Sequence, residues 1–295
     1  MASTYGSHHG FSNNHITEVL IQYENIYQTS QATEPTMEQV AKWILGSEPV
    51  FLQHIFQNPW QSKRTADTGL WFLDGEVFSS WKSHPQQERE SRSLLWLHGK
   101  SGCGKTVLCS SAIDPLRSFC KESPDYVLLY HFFTITDSQS QTRGTLVRNL
   151  AYQLAVYNNA TRSSAKAFYT QAGEGSQPVD HEQLLRDLIK VPKRVYIIID
   201  ALDECTEQLE TCKVIRMLCE QKDCDIRILT STNTTQSLQT EETLTDLKRY
   251  KIDISPMIIN NDIENHINEL NLSRQWNDDK NNEIISYIMA NCDGS

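Results

Sequence analysis

The run Gly99-Lys100-Ser101-Gly102-Cys103-Gly104-Lys105-Thr106 has the residue types and spacing that grip a chain of phosphates, G-x-x-x-x-G-K-[ST]. Glycines let the backbone curl until successive N–H groups point inward at an anion. Lys105 supplies a point charge for the outer phosphates, and the Thr106 hydroxyl is a hard oxygen ligand for Mg2+. A helix beginning at Lys105 and continuing from Val107 aims the positive end of its dipole at the same anion. The spacing therefore assigns Gly99, Ser101, Gly102, Cys103, Gly104, Lys105, Thr106 and Val107 to a nucleoside triphosphate, ATP or GTP. The run directly follows an apolar segment, Leu94 to His98, which is the strand–loop–helix setting the chemistry requires.

Such a site needs a second element, an acid at the tip of a neighbouring strand to hold Mg2+. Arg194-Val195-Tyr196-Ile197-Ile198-Ile199-Asp200 reads as an aliphatic strand buried on both faces and ending in that carboxylate. Ala201-Leu202-Asp203-Glu204 then brings two further carboxylates to the same edge. A hydrolytic site uses one of them to orient the attacking water, with Glu204 preferred and Asp203 open. Their bland alternative is to cap the helix that follows. Ser231-Thr232-Asn233, at the tip of a fourth predicted strand, is either a sensor of the terminal phosphate or an ordinary turn. Trp71 and Pro256 are candidates for lining the nucleotide pocket, a core role being the stronger reading for Trp71.

These residues need a scaffold. The strands predicted are 94–98, 126–133, 194–200, 226–231 and 250–254, and the helices between them 105–119, 142–157, 181–190 and 207–221. Alternation of this kind marks a three-layer α/β domain with a five-stranded, mainly parallel sheet. Because 126–133 lies between the two motifs in sequence, the Asp200 strand is expected not to neighbour the Leu94 strand. Residues 1–60 read as an N-terminal segment, disordered at first and then helical. Ile16, Val19, Leu20, Tyr23, Ile26 and Tyr27 form one amphipathic stripe, and Met37, Val40, Trp43 and Ile44 form another. Each stripe either docks a partner or packs on its own domain. Residues 61–256 form the α/β domain, with a charged loop over 84–92, and 257–295 begin a helical subdomain through Ile263, Ile267, Leu270, Ile284, Ile285 and Ile288.

Composition narrows the partners. The chain has 295 residues with a net charge of −10, which opposes non-specific nucleic acid binding. No apolar run approaches the 18 or more residues of a membrane helix, and Met1 to Gly10 has no signal pattern. The expected location is the cytoplasm. The eight cysteines contain no C-x-x-C pair. Cys205, Cys212 and Cys219 recur every seven residues, as a metal site or as one helix face using small apolar side chains. The sequons at Asn159, Asn233 and Asn271 read as coincidence.

His98 to Thr106, paired with Ile199-Asp200-Ala201-Leu202-Asp203-Glu204-Cys205, resembles the NACHT branch of the STAND P-loop NTPases, in the nephrocystin-like form abundant in fungal NLR-like receptors. Thr68-Gly69-Leu70-Trp71-Phe72 is similar to that family's entry segment and Asn149-Leu150-Ala151-Tyr152-Gln153-Leu154 to its helix after the second strand. Ala290 to Ser295 looks like the start of its distal helical motif. The resemblance spans 62–295. It implies that Lys105 and Thr106 bind phosphate and Mg2+, that Asp200 holds Mg2+, and that Asp203 or Glu204 supports slow hydrolysis. It also implies a switch that self-associates and signals through an attached effector, the effector and repeat domains being missing here from what reads as a fragment. One departure stands out: Thr232 occupies a place where the family usually carries an arginine, which bears on hydrolysis more than on binding. The reading is thus a nucleotide switch. Its rivals are a non-hydrolysing scaffold and, more weakly, a small-molecule kinase, for which no arginine-rich lid is present.

Overall fold

The computed structural model describes residues 34–46, 69–83, 93–136, 140–233 and 249–254, with positions 244, 247, 262 and 283. The helix expected from Ile16, the 84–92 loop, Pro256, the apolar pattern of Ile263, Ile267, Leu270, Ile284, Ile285 and Ile288, and the 290–295 motif lie outside them.

In chain order the elements are α1 (Met37–Leu45), α2 (Leu70–Leu73), α3 (Glu76–Ser83), β1 (Leu94–Gly99), α4 (Lys105–Lys121), β2 (Tyr126–Phe132), α5 (Arg143–Tyr157), α6 (Asn159–Gln171), α7 (His181–Leu188), β3 (Arg194–Asp200), a short 3-10 turn (Leu202–Glu204), α8 (Gln208–Cys219), β4 (Asp225–Asn233) and β5 (Arg249–Ile254). The five strands form one sheet in the order β2-β3-β4-β1-β5, and every pairing is parallel. β1 and β3 are indeed not neighbours. The strand between them is β4, however, and β2 lies at the edge: insertion in sequence does not fix insertion in space.

Side-chain alternation divides the core into two layers. Val195, Ile197 and Ile199 of β3 pack with α1, α5, α6, α7 and α8. Tyr196 and Ile198 face the other way, onto α4 and the aromatic cluster of Phe72, Phe78 and Trp81 from α2 and α3. All seven residues of β3 are buried, as its aliphatic run requires. At the start of the strands, Asp225 is buried between Arg194 (Nε to Oδ2 2.7 Å) and Arg227 (Nε to Oδ1 3.0 Å).

Helix α6 has no counterpart among the sequence predictions. Its residues are mostly polar, and it inserts only small or aromatic contacts (Thr161, Ala165, Tyr169) into the core. Its start is nevertheless encoded: Asn158 caps the Thr161 N–H at 2.9 Å and the Thr161 hydroxyl returns to the Asn158 N–H. That engages the threonine of the Asn159 sequon in structure. Helix α1, assigned by sequence to the 1–60 segment, shares the core of the α/β unit. Val40 and Ile44 are fully buried there, and the Trp43 indole donates to the Gln177 carbonyl at 3.1 Å. This stripe therefore packs on its own chain.

As an edge strand, β2 presents backbone groups that need partners. α5 supplies them. Tyr157 OH donates to the Tyr126 carbonyl at 2.7 Å. The Gln153 amide accepts the Tyr130 N–H at 3.1 Å and donates to its carbonyl at 2.7 Å, as a paired strand would. Next to it, His131 Nε2–H donates to the Ser140 carbonyl at 3.1 Å, which leaves Nδ1 to accept from the Asn149 amide at 3.0 Å. Burial holds this imidazole neutral, pushing its pKa down from 6.5 to about 4 despite the bond to Ser140. The unfolded chain thus takes a proton that the folded one refuses as pH falls from 6.5 to about 4. Over that window His131 removes about 3 kcal/mol of stability, with no further loss below it. Urea unfolding across that range should therefore show a shallower pH dependence for His131→Gln than for the parent; parallel curves would contradict the buried neutral imidazole.

Candidate functional site

Strand parity decides what meets at the C-terminal end of the sheet. Asp200 follows Tyr196 and Ile198 onto the α4 face, and Ser231 follows Leu229 onto the same face. Asp200 is buried, and its Oδ1 accepts from the Ser231 hydroxyl at 2.6 Å. Thr106 and Cys109, in the first turns of α4, lie near enough to this carboxylate to favour its charged form. Burial pushes the Asp200 carboxyl above the usual range, opposed first by the Ser231 bond, then by Thr106 and Cys109, and by the Lys105 charge. Burial and the facing Asp200 charge in turn keep the Cys109 thiol protonated.

The loop between β1 and α4 brings the other half. At Gly99 an added Cβ would lie 2.6 Å from Cys103 Sγ and 3.0 Å from the Ile254 carbonyl oxygen, so only glycine fits where the chain passes β5. Gly104 caps α4 in the left-handed region at φ 85° with open space before it. Ser101 and Gly102 are exposed, Cys103 is buried beneath them, and Thr106 and Val107 are half-buried in the first turn of α4. Lys105 Nζ folds back over the loop, donating to the carbonyls of Gly99 (2.8 Å) and Lys100 (2.6 Å) and lying 3.8 Å from Cys103 Sγ.

The third component is the turn after β3. Ala201 adopts φ 54° and ψ 48°, left-handed values that cost a non-glycine residue about 1–2 kcal/mol and tend to persist only where surroundings enforce them. Its N–H donates to Ser231 Oγ at 2.8 Å. The turn then separates the two candidate acids. Asp203 is drawn toward β4, its Oδ1 accepting the Asn233 N–H at 3.1 Å. Glu204 turns toward the end of β2, its Oε2 accepting the Ile135 N–H at 2.8 Å. Burial raises the Glu204 pKa; the Ile135 bond opposes this, while the charges of Asp203 and Asp200 add to it.

The structure thus gathers Lys105, Thr106, Asp200, Asp203 and Glu204 at one end of the sheet. Sequence reasoning left Ser231 undecided between sensor and turn, and missed that it binds both Asp200 and Ala201. Its only local signal is a polar residue at a strand tip. Thr232 points to the opposite face and accepts from the Trp96 indole at 2.8 Å. Trp71 lies half-buried beside Phe72, with its indole donating to Asp262 at 3.1 Å. Of the heptad cysteines, Cys205 and Cys212 are core residues and Cys219 packs against that core. Among the described residues no three His, Cys, Asp or Glu side chains come together as a metal site. A Mg2+ bound between phosphates, one hydroxyl and one carboxylate would need no such cluster, and the oxygen donors of Thr106 and Asp200 fit that ion.

Residues 67–232 match the family described as nephrocystin 3, N-terminal. The chain is 25% identical over 241 residues to the vegetative incompatibility protein HET-E-1 of Podospora anserina; this covers 78% of the chain but only 17% of that protein. Among solved structures, AMPPCP-bound DnaA from Aquifex aeolicus overlaps with a TM-score of 0.43 at 15% identity, over 81% of this chain and 62% of that one. The ORC1 protein of Aeropyrum pernix, in complex with DNA, overlaps with a TM-score of 0.42 at 13% identity, over 61% and 43% of the two chains. Overlaps of that size say nothing of chemistry.

Proposed function

The chain belongs to the nephrocystin 3 N-terminal family, the NACHT-type group that its motifs resemble, and on that premise we propose that it is the nucleotide-dependent switch domain of a signalling protein. The observation that carries this reading is the buried Asp200 carboxylate facing Thr106 and the Lys105 loop. ATP or GTP would lie along Gly99 to Val107, with Lys105 exchanging its loop carbonyls for phosphate oxygens. Thr106 and Asp200 would hold Mg2+, which when bound supplies charge neutralisation at the phosphates.

Glu204 is the better placed of the two acids to orient water. Asp203 is tied at its carboxylate by the Asn233 N–H and at its carbonyl by the Gln208 amide, 2.6 Å away. Glu204 has one backbone donor and a raised pKa, the property of a group poised to take a proton. Slow hydrolysis suits a switch, since what matters is that nucleotide binds two conformations with different affinity. The vegetative incompatibility protein similar to this chain supports a signalling role, with self-association through the 61–256 domain and effectors lying elsewhere. A cytoplasmic setting without membrane or nucleic acid partners completes the proposal. Among the described residues no helix is long and apolar enough to cross a membrane, and the charge of −10 opposes phosphate backbones.

Thr232 favours the second reading, a nucleotide-dependent scaffold without turnover. A threonine at the β4 tip, held in the core by Trp96, supplies no cation for the terminal phosphate.

Two variants separate these readings. Lys105→Ala should weaken nucleotide binding at least tenfold in calorimetric titration while leaving the circular dichroism spectrum intact; unchanged affinity would remove the site assignment. Glu204→Gln should bind as the parent does but release phosphate at least tenfold more slowly. Equal rates would move the role to Asp203, and no release from either protein would leave the scaffold.

A further inference from the structure

We propose that Ser231 is a positioning residue of this site: one hydroxyl fixes both the Asp200 carboxylate and the backbone turn that carries Asp203 and Glu204. The inference rests on the nucleotide reading above and names the residue on which its magnesium dependence turns.

A serine hydroxyl has one proton to donate and lone pairs to accept with. Ser231 donates its proton to Asp200 Oδ1 at 2.6 Å and accepts the Ala201 N–H at 2.8 Å. The side chain is fully buried, so no water replaces either bond. Its backbone is equally constrained. β4 is hydrogen-bonded to β1 on one side and β3 on the other, and Ser231 is in register with Leu97, two residues before the phosphate loop. The hydroxyl therefore projects from a central strand of the sheet, while the groups it holds lie at a strand end and in a left-handed turn.

The other polar neighbours of Asp200 cannot do this work. Thr106 belongs to the loop–helix junction and is itself a candidate metal ligand, so its hydroxyl has a second duty when the cation binds. Cys109 offers only a thiol, a weak donor. Ser231 is not a candidate metal ligand, and its hydroxyl is already committed to Asp200 and Ala201. Its second bond bears on the acids beyond. The Ala201 N–H is anchored where the chain takes φ 54°, and two residues further the Asn233 N–H of the same strand holds Asp203 at 3.1 Å. One strand tip thus sets Asp200, Ala201 and Asp203 together, leaving Glu204 to be set from the β2 side.

The test is calorimetric titration of the full chain with ATP and with GTP, each in Mg2+ and in EDTA, for the parent, Ser231→Ala and the double variant Ser231→Ala with Ala201→Gly. The glycine takes the left-handed turn without strain and keeps the comparison available if the single variant folds poorly. In the parent, Mg2+ should tighten binding. Both variants should lose at least tenfold of that tightening while their affinity in EDTA stays within about twofold of the parent. Full tightening in the variants would overturn the role of Ser231 and leave the nucleotide reading standing. Equal losses in Mg2+ and EDTA would also overturn it, by showing a merely structural serine. A parent that binds neither nucleotide would remove the reading itself, and this inference with it.

Discussion

A carboxylate buried in the middle of a sheet edge is the constraint on which the rest depends. Asp200 is removed from water, and among the described residues no lysine or arginine forms an ion pair with it. Burying such a charge is unfavourable unless hydrogen bonds or a cation compensate. The neighbours are arranged accordingly: a serine from β4, a threonine and a thiol from α4, and a lysine ammonium within electrostatic reach. None of these forms an ion pair with Asp200; in the proposed function a divalent cation would supply that compensation.

The sheet order converts that local need into a site. With β4 between β1 and β3, a residue of β4 reaches the carboxylate at one strand tip while standing in register with the strand that leads into the Gly99–Thr106 loop. Parity then sends Asp200 and Ser231 to the α4 face and Thr232 to the other. The acids after β3 divide in the same way, Asp203 toward β4 and Glu204 toward β2. The edge strand can serve this purpose because α5 satisfies its outer backbone groups through Gln153 and Tyr157.

Local structure was legible in the sequence because it is written in consecutive residues. The strand–loop–helix around Gly99–Thr106, the aliphatic run ending in Asp200 and the five strands each carry their own periodicity or spacing. Relations across the sheet were not. Nothing near Ser231 distinguishes a residue that faces Asp200 from one that faces solvent, and its neighbour Thr232 drew attention although its side chain lies on the opposite face. Helix α6 escaped for a different reason: its buried positions are threonine, alanine and tyrosine, which give no apolar stripe, and its cap is a single Asn158–Thr161 pair. The place of β2 at the edge likewise depends on crossovers that sequence order does not encode.

The most direct test of a site centred on Asp200 is the melting temperature of Asp200→Asn beside the parent, each with and without Mg2+ and nucleotide. Replacing a buried carboxylate that has no ion-pair partner by its neutral isostere removes a desolvation cost, so the variant alone should melt at or above the parent. Mg2+ with nucleotide should raise the melting temperature of the parent only, by several degrees at saturating ligand. A variant that is clearly less stable alone, or that gains as much from Mg2+ and nucleotide as the parent does, would contradict the account.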